Sequence, residues 1–133
     1  MVELLVVIMI LSILVGLVMA VGHYVTDEAA RKNTVASQAI IMSAINTYYT
    51  TYAAYPSTDA AWVTEMSNDA NSMAVLSLLP KQAGVNGTPP ILLDGWGRKM
   101  TYSPNSGFGG RPQVVSAGPD GTAGNADDIR SDK

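Results

Sequence analysis

Eighteen consecutive residues, Leu4 to Val21, carry no formal charge, and only Ser12 and Gly16 interrupt their apolar character. Few folds accept such a run. As a helix rising about 1.5 Å per residue it spans roughly 27 Å, close to the hydrocarbon thickness of a bilayer. The core helix of a soluble protein seldom keeps apolar side chains on every face for about five turns. A cleaved secretory signal would need a basic start, a shorter apolar core and a small-x-small cut site. Here the run is preceded by an acid, Glu3, and no Lys or Arg comes before Arg31. The run therefore reads as a membrane-inserted helix.

The helical pattern continues past the apolar run. From Asp27 to Tyr55 there is neither Gly nor Pro, and Asp27 and Glu28 precede Arg31 and Lys32 at the i,i+4 spacing that favours acid before base. Val35, Gln38, Met42, Ile45, Tyr49 and Tyr52 recur at three-four spacing, with Ile41, Ile45, Tyr48, Tyr52 and Tyr55 as an adjacent stripe. One face of this half should be buried. These features predict one spine helix of about 50 residues, roughly 75 Å long, with residues 1–22 apolar all round and residues 23–55 amphipathic. Gly16 and Gly22 are weak points costing about 1 kcal/mol each relative to Ala. Ala54 to Pro56 should end the helix, because a residue before proline is pushed out of the helical region. His23, beside Tyr24 at the apparent membrane boundary, reads as an interfacial anchor rather than a general base.

Residues 56–133 form the remaining, more polar part. Residues 60–84 predict one or two short helices, with Ala74 to Leu79 an apolar turn stopped by Pro80. Farther on, turn pairs such as Asn86-Gly87, Asp94-Gly95 and Gly109-Gly110 bracket short runs at Lys99 to Tyr102 and Pro112 to Ser116. Two or three short antiparallel strands are too few to fold alone, so they must pack on the stripe of the long helix. The expected fold class is α+β: a long N-terminal spine helix with a small antiparallel sheet clasped to its C-terminal half. Trp62 and Trp96 read as core anchors, Trp62 over the helix and Trp96 under its turn.

A net charge of −3 with no basic stripe argues against nucleic acid as a partner. Cysteine is absent, which removes disulfides, thiolate metal sites and Cys nucleophiles. No nucleophile elbow, phosphate loop or HExxH occurs, so the chain does not read as an enzyme. Two sets of acidic residues remain. Glu3, at the edge of the apolar run, either meets a cation if buried or lies in the headgroup layer. Near the other end, Asp120, Asn125, Asp127 and Asp128 place four oxygen-bearing side chains within nine residues, spaced by Gly118, Gly121 and Gly124. Calcium takes six to eight oxygens from carboxylates, carbonyls and water, and this spacing is not that of an EF-hand. The alternative is a solvated acidic tail.

"VELLVVIMILSIL" resembles the start of mature type IV pilins and of type II secretion pseudopilins, with Val2, Glu3, Leu4 and Leu5 matching the end of the prepilin signature. The basic leader, the glycine before the cut and the first mature residues of that pattern are not in the sequence, and Met1 stands where it would carry Leu. "DGWGRKMTY" followed by "QVVSAGPDGTAGNADDI" is similar to the C-terminal part of major pseudopilins, which favours secretion over an adhesive or motility pilus. The resemblance implies cleavage and N-methylation, and pairing of Glu3 with the terminal amine of a neighbouring subunit. It implies a homo-oligomeric helical filament, with minor pilins or pseudopilins and an inner-membrane assembly platform as partners. It also implies single-pass insertion in a bacterial inner membrane before assembly, a periplasmic or extracellular filament afterwards, and calcium in the terminal loop. The rival readings are a monomeric membrane-anchored binding module and a secreted domain with a cleaved signal.

Overall fold

The computed structural model describes residues 1–81 and 83–133, without the side chain of His23. The anchoring role expected of His23 therefore lies outside the described residues. A single helix, α1 (Val2–Tyr52), passes through Gly16 and Gly22 without a break. Two short helices follow, α2 (Trp62–Asn68) and α3 (Ala70–Leu76), then strands β1 (Thr101–Ser103), β2 (Gln113–Ser116) and β3 (Ile129–Arg130). The strands form one antiparallel sheet in the order β1-β2-β3, with Tyr102 opposite Val114 and Ser116 opposite Ile129. This is the expected α+β layout.

The helix ends at Tyr52, ahead of the Ala54–Pro56 stop. Ala53 takes a left-handed conformation (φ 51°) and its N–H closes on the Tyr49 carbonyl at 2.8 Å, a C-terminal cap usually made by glycine. Between α2 and α3, Asp69 accepts from the Ser72 hydroxyl at 2.6 Å and the Ser72 N–H at 2.8 Å. Those bonds cap α3 and hold the Asp69 carboxyl below its usual range, the hydroxyl contributing most.

The two halves of α1 differ in their surroundings. Every large apolar side chain from Leu4 to Val21 is at least half exposed, from 50% at Val6 to 71% at Val18. From Ala30 onward one face is covered: Ala30, Thr34, Ser37, Gln38, Ile41, Ala44 and Ile45 are buried. The stripes anticipated from the sequence overlap this face in part, and Met42, Tyr48 and Tyr55 pack half-buried at its edge. Gln38, Ile41 and Ile45 are within it, whereas Val35, Tyr49 and Tyr52 are exposed at 52%, 43% and 53%. Ile41 and Ile45 join Trp62, Met66, Leu92, Met100, Tyr102 and Val114 in the core, and Trp62 stacks on Tyr102 at 4.9 Å. Burial, more than the nearby Glu65 carboxylate, raises the Tyr102 phenol well above its ordinary pKa.

Gln38 ties the sheet to the spine. Its amide donates to the carbonyls of Ile129 at 2.8 Å and Val114 at 3.3 Å, holding β3 and β2 on α1. Replacing it leaves buried carbonyl oxygens short of a donor, at a cost of about 1–3 kcal/mol. Gln38→Leu should therefore lower the thermal midpoint of the detergent-solubilised chain, by roughly 4–8 °C per kcal/mol for a head of this size. A melt matching wild type would show that the clasp contributes nothing.

Candidate functional site

The acidic loop begins where β2 ends, and a turn some twenty residues earlier organises its base. Asp94 is buried, at 1% exposure, with no cation within ion-pair distance among the described residues. Hydrogen bonds hold its charge instead. One carboxylate oxygen accepts from the N–H groups of Trp96 (3.0 Å) and Arg98 (2.9 Å), and the other from the Ser116 hydroxyl (2.6 Å). Ser116 Oγ in turn accepts from the Gly118 N–H at 3.3 Å, and Arg98 Nη1 donates to the Gly118 carbonyl at 2.6 Å. Gly118 is thus gripped through both of its peptide groups.

This turn docks on α1 through a backbone approach that only glycine permits. The Gly95 N–H donates to Thr34 Oγ1 at 2.9 Å, and Thr34 Oγ1 donates to the Ala30 carbonyl at 2.8 Å. A Cβ on Gly95 would overlap the Ala30 carbonyl oxygen and lie 2.7 Å from its carbon. Next to it, Trp96 is partly exposed rather than a core anchor, and its indole N–H donates to Asp27 Oδ1 at 3.2 Å. The i,i+4 spacing paired Asp27 with Arg31, but Trp96 takes that carboxylate. Glu28 and Lys32 do pair, at 3.4 Å.

Beyond Gly118 the loop folds on its own side chains. Asp120 accepts from the Thr122 N–H (2.7 Å) and from the Asn125 amide (2.8 Å), while Asn125 Oδ1 accepts from the Asp127 N–H (3.3 Å). Asp128 Oδ2 accepts from the Gly124 N–H at 2.9 Å and lies 3.8 Å from Arg130. The other oxygen of Asp128 is buried with no partner. Gly118, Gly121 and Gly124 all have positive φ, from 64° to 96°, which turns the backbone sharply enough to bring residues 120 and 125 together. The four candidate ligands thus share one loop. Among the described residues, however, no three acidic or histidine side chains gather as a metal cage. As a donor set they offer oxygen alone, and Asp128 Oδ1 is an orphaned acceptor of the kind a hard cation satisfies; carbonyls and water would supply the remaining oxygens calcium needs.

Just past β3, Asp132 accepts from the Gln113 amide at 2.7 Å and the Phe108 N–H at 3.2 Å. The Gln113 bond is the main reason its carboxyl lies below the usual range. Glu3, the remaining candidate, is exposed in the first turn of α1, far from this loop.

Asp94, Ser116, Arg98 and Gln38 were not singled out from the sequence as organisers of the loop. Asp94 carried a signal, since an Asp heading a glycine-containing turn often accepts from backbone N–H groups two residues on. Gln38 lay on the stripe expected to be buried and Ser116 in the stretch resembling major pseudopilins, but neither signal showed what the side chain holds.

A sequence model of type II secretion system protein G matches residues 23–132. The matched region covers the amphipathic half of α1 and all three strands, and it starts beyond the apolar run. Comparison with curated proteins finds no match, and neither does comparison with solved structures.

Proposed function

The chain belongs to the type II secretion system protein G family, and on that premise we propose that it is the repeating, non-enzymatic subunit of a secretion pseudopilus. It is held in the inner membrane by residues 4–21 and assembled from there into a helical filament. The observation that carries this reading is the exposure of every large apolar side chain in that run. A surface of this kind needs lipid or protein around it, and each Leu, Ile or Val gains a few tenths of a kcal/mol on entering a bilayer. In the filament, copies of the same helix replace the lipid and the heads form the outer shell. Minor pseudopilins and an inner-membrane platform are the partners this assembly requires.

The test is to produce the chain together with the assembly components of such a system. Filaments should appear in sheared cell material, and the assembled fraction should resist the detergent that extracts the membrane-inserted subunit. A chain that is always extracted as a monomer would favour an anchored binding module instead.

We further propose that Asp120, Asn125, Asp127 and Asp128 hold a structural calcium ion, supported by the all-oxygen donor set and the orphaned Asp128 oxygen. The ion would supply positive charge to a loop with little apolar surface to order it. Because the folded loop binds and the unfolded chain does not, calcium at a hundred times its dissociation constant adds about 2.7 kcal/mol of stability. Chelating calcium from the full chain in detergent should then lower the melting midpoint by about 10 °C or more. An unchanged melt, with Asp120→Ala also silent, would leave a solvated acidic loop.

A further inference from the structure

We propose that the base of the head docks on the phosphodiester headgroup layer of the bilayer before assembly, through Tyr24, Arg31, Trp96 and Pro119. The proposal rests on residues 4–21 spanning the membrane.

The helix fixes the depth. Asp27 lies six residues past Val21 in the same unbroken helix, about 9 Å farther along its axis. The headgroup region of one leaflet is about 5–8 Å deep. A tilt of about 20°, ordinary for a spanning helix, lowers one side of the head by a few ångströms more. The Trp96 indole, bonded to Asp27, therefore sits at the top of the headgroup layer, and Tyr24 sits within it.

The chemistry of the surface suits that position. Tyr24, Asp27, Glu28, Arg31, Trp96 and Pro119 line one cleft between α1 and the head. Tyr24 is 74% exposed and Trp96 partly so. Tyr and Trp concentrate at membrane interfaces because a flat apolar ring and a polar tip suit the boundary. Both carboxylates of the cleft are engaged: Asp27 by the Trp96 N–H at 3.2 Å, and Glu28 by Lys32 at 3.4 Å. Arg31 has no carboxylate within ion-pair distance among the described residues. Arg31 stands ten residues past Val21, about 15 Å along the axis. Its guanidinium therefore meets a phosphodiester, with two parallel hydrogen bonds, where the tilt lowers its side of the head and its side chain extends back toward the bilayer. Asp120 and Asp127 of the neighbouring loop add repulsion from an anionic surface, so Arg31 and the rings must outweigh them.

The two tryptophans serve as depth markers. Trp62 stacks on Tyr102, whose hydroxyl donates to the Pro56 carbonyl beyond the far end of α1, and that end is roughly 38 Å along the axis from Asp27. The full chain is reconstituted in vesicles of phosphatidylcholine and phosphatidylglycerol that include a phosphatidylcholine with a nitroxide on its headgroup. Tryptophan emission and co-flotation are read on the same samples. The Trp96 share of the wild-type emission should be strongly quenched, whereas Trp96→Phe, which keeps only Trp62, should be quenched little. Arg31→Gln should lower the ratio of docked to undocked heads about five-fold. Chain that floats with the vesicles but is quenched no more than Trp96→Phe would overturn the docking and leave the membrane span standing. Chain that does not float would overturn both.

Discussion

Asp94→Ala should destabilise the head by about 3 kcal/mol, lowering the thermal midpoint of the full chain in detergent by more than 10 °C. The size follows from what the carboxylate holds. Three donors converge on it from two segments: the N–H groups of Trp96 and Arg98 in its own turn and the Ser116 hydroxyl on β2. Alanine leaves all three without their acceptor, and each buried donor so orphaned costs about 1–3 kcal/mol. The lower part of that range applies, because the two N–H groups are only partly buried and water can reach them. Asp94→Asn keeps an oxygen for the two N–H groups, and its amide can donate to Ser116 with the hydroxyl turned round, so it should recover most of the loss. Ser116→Ala alone should cost about 1 kcal/mol, and the double change Asp94→Ala with Ser116→Ala less than the sum, because the two side chains share a bond. Near-ultraviolet circular dichroism melts check all four variants. A wild-type midpoint for Asp94→Ala would mean the buried carboxylate holds nothing together.

The spine helix was legible because its signals are local and repeated. An unbroken apolar run and then Gly- and Pro-free amphipathic sequence leave no competing element, and α1 runs from Val2 to Tyr52. Its buried face was less legible. Large apolar residues pointed correctly to Ile41 and Ile45 but also to the exposed Val35, Tyr49 and Tyr52, while the face that packs also carries Ala30, Thr34, Ser37 and Ala44. At Ala30 a small side chain is needed because the backbone of the Gly95 turn comes into contact with it, and Thr34 beside it takes the Gly95 N–H. Close packing of this kind selects against bulk, so a count of bulky residues looks one step around the helix. Strand β3 is two residues long and follows a glycine-rich acidic stretch with no alternating pattern. Its position depends on Ser116 opposite Ile129 and on Gln38 reaching the Ile129 carbonyl, pairings that exist only after folding.

The four oxygen-bearing side chains of the terminal loop were visible as a cluster, and the fold keeps them together. What the sequence hid is how the loop is held. Arg98 from the Asp94 turn and Ser116 from β2, itself held by Asp94, fix Gly118 from two segments. Separations of about twenty residues leave no periodicity to read. Trp96 misled for a related reason: tryptophan is usually a core residue, but here the indole spans from the turn to Asp27 and remains partly in solvent.

Glu3→Gln should leave membrane insertion intact and reduce filament yield by at least tenfold. The first half of that expectation follows from position. Glu3 stands just ahead of the apolar run, where its side chain can extend to the headgroups, so removing its charge changes the insertion free energy little. Assembly changes its surroundings. In the proposed filament, where the apolar halves of neighbouring spines replace lipid, the first turn of α1 would move from a wet boundary into a bundle of helices. An ionised carboxylate left unpaired there would cost several kcal/mol, and a neighbour's terminal amine, the partner that the pilin resemblance implies, would both remove that cost and add attraction. Glutamine keeps the size and the hydrogen-bonding ends but not the charge, so it leaves the amine as the unpaired ion. If about 3 kcal/mol is lost at each added subunit, the subunit concentration that sustains a filament rises by about two orders of magnitude. A growing end repeats the same contact at every addition, so the deficit recurs along the whole filament. Glu3→Asp keeps the charge on a shorter arm and should retain part of the yield. Immunoblots of the sheared filament fraction against the detergent-extracted membrane fraction read both halves of the prediction. Wild-type filament yield from Glu3→Gln would remove the ion pair from the assembly mechanism, and loss of the subunit from the membrane would place the glutamate's role in insertion instead.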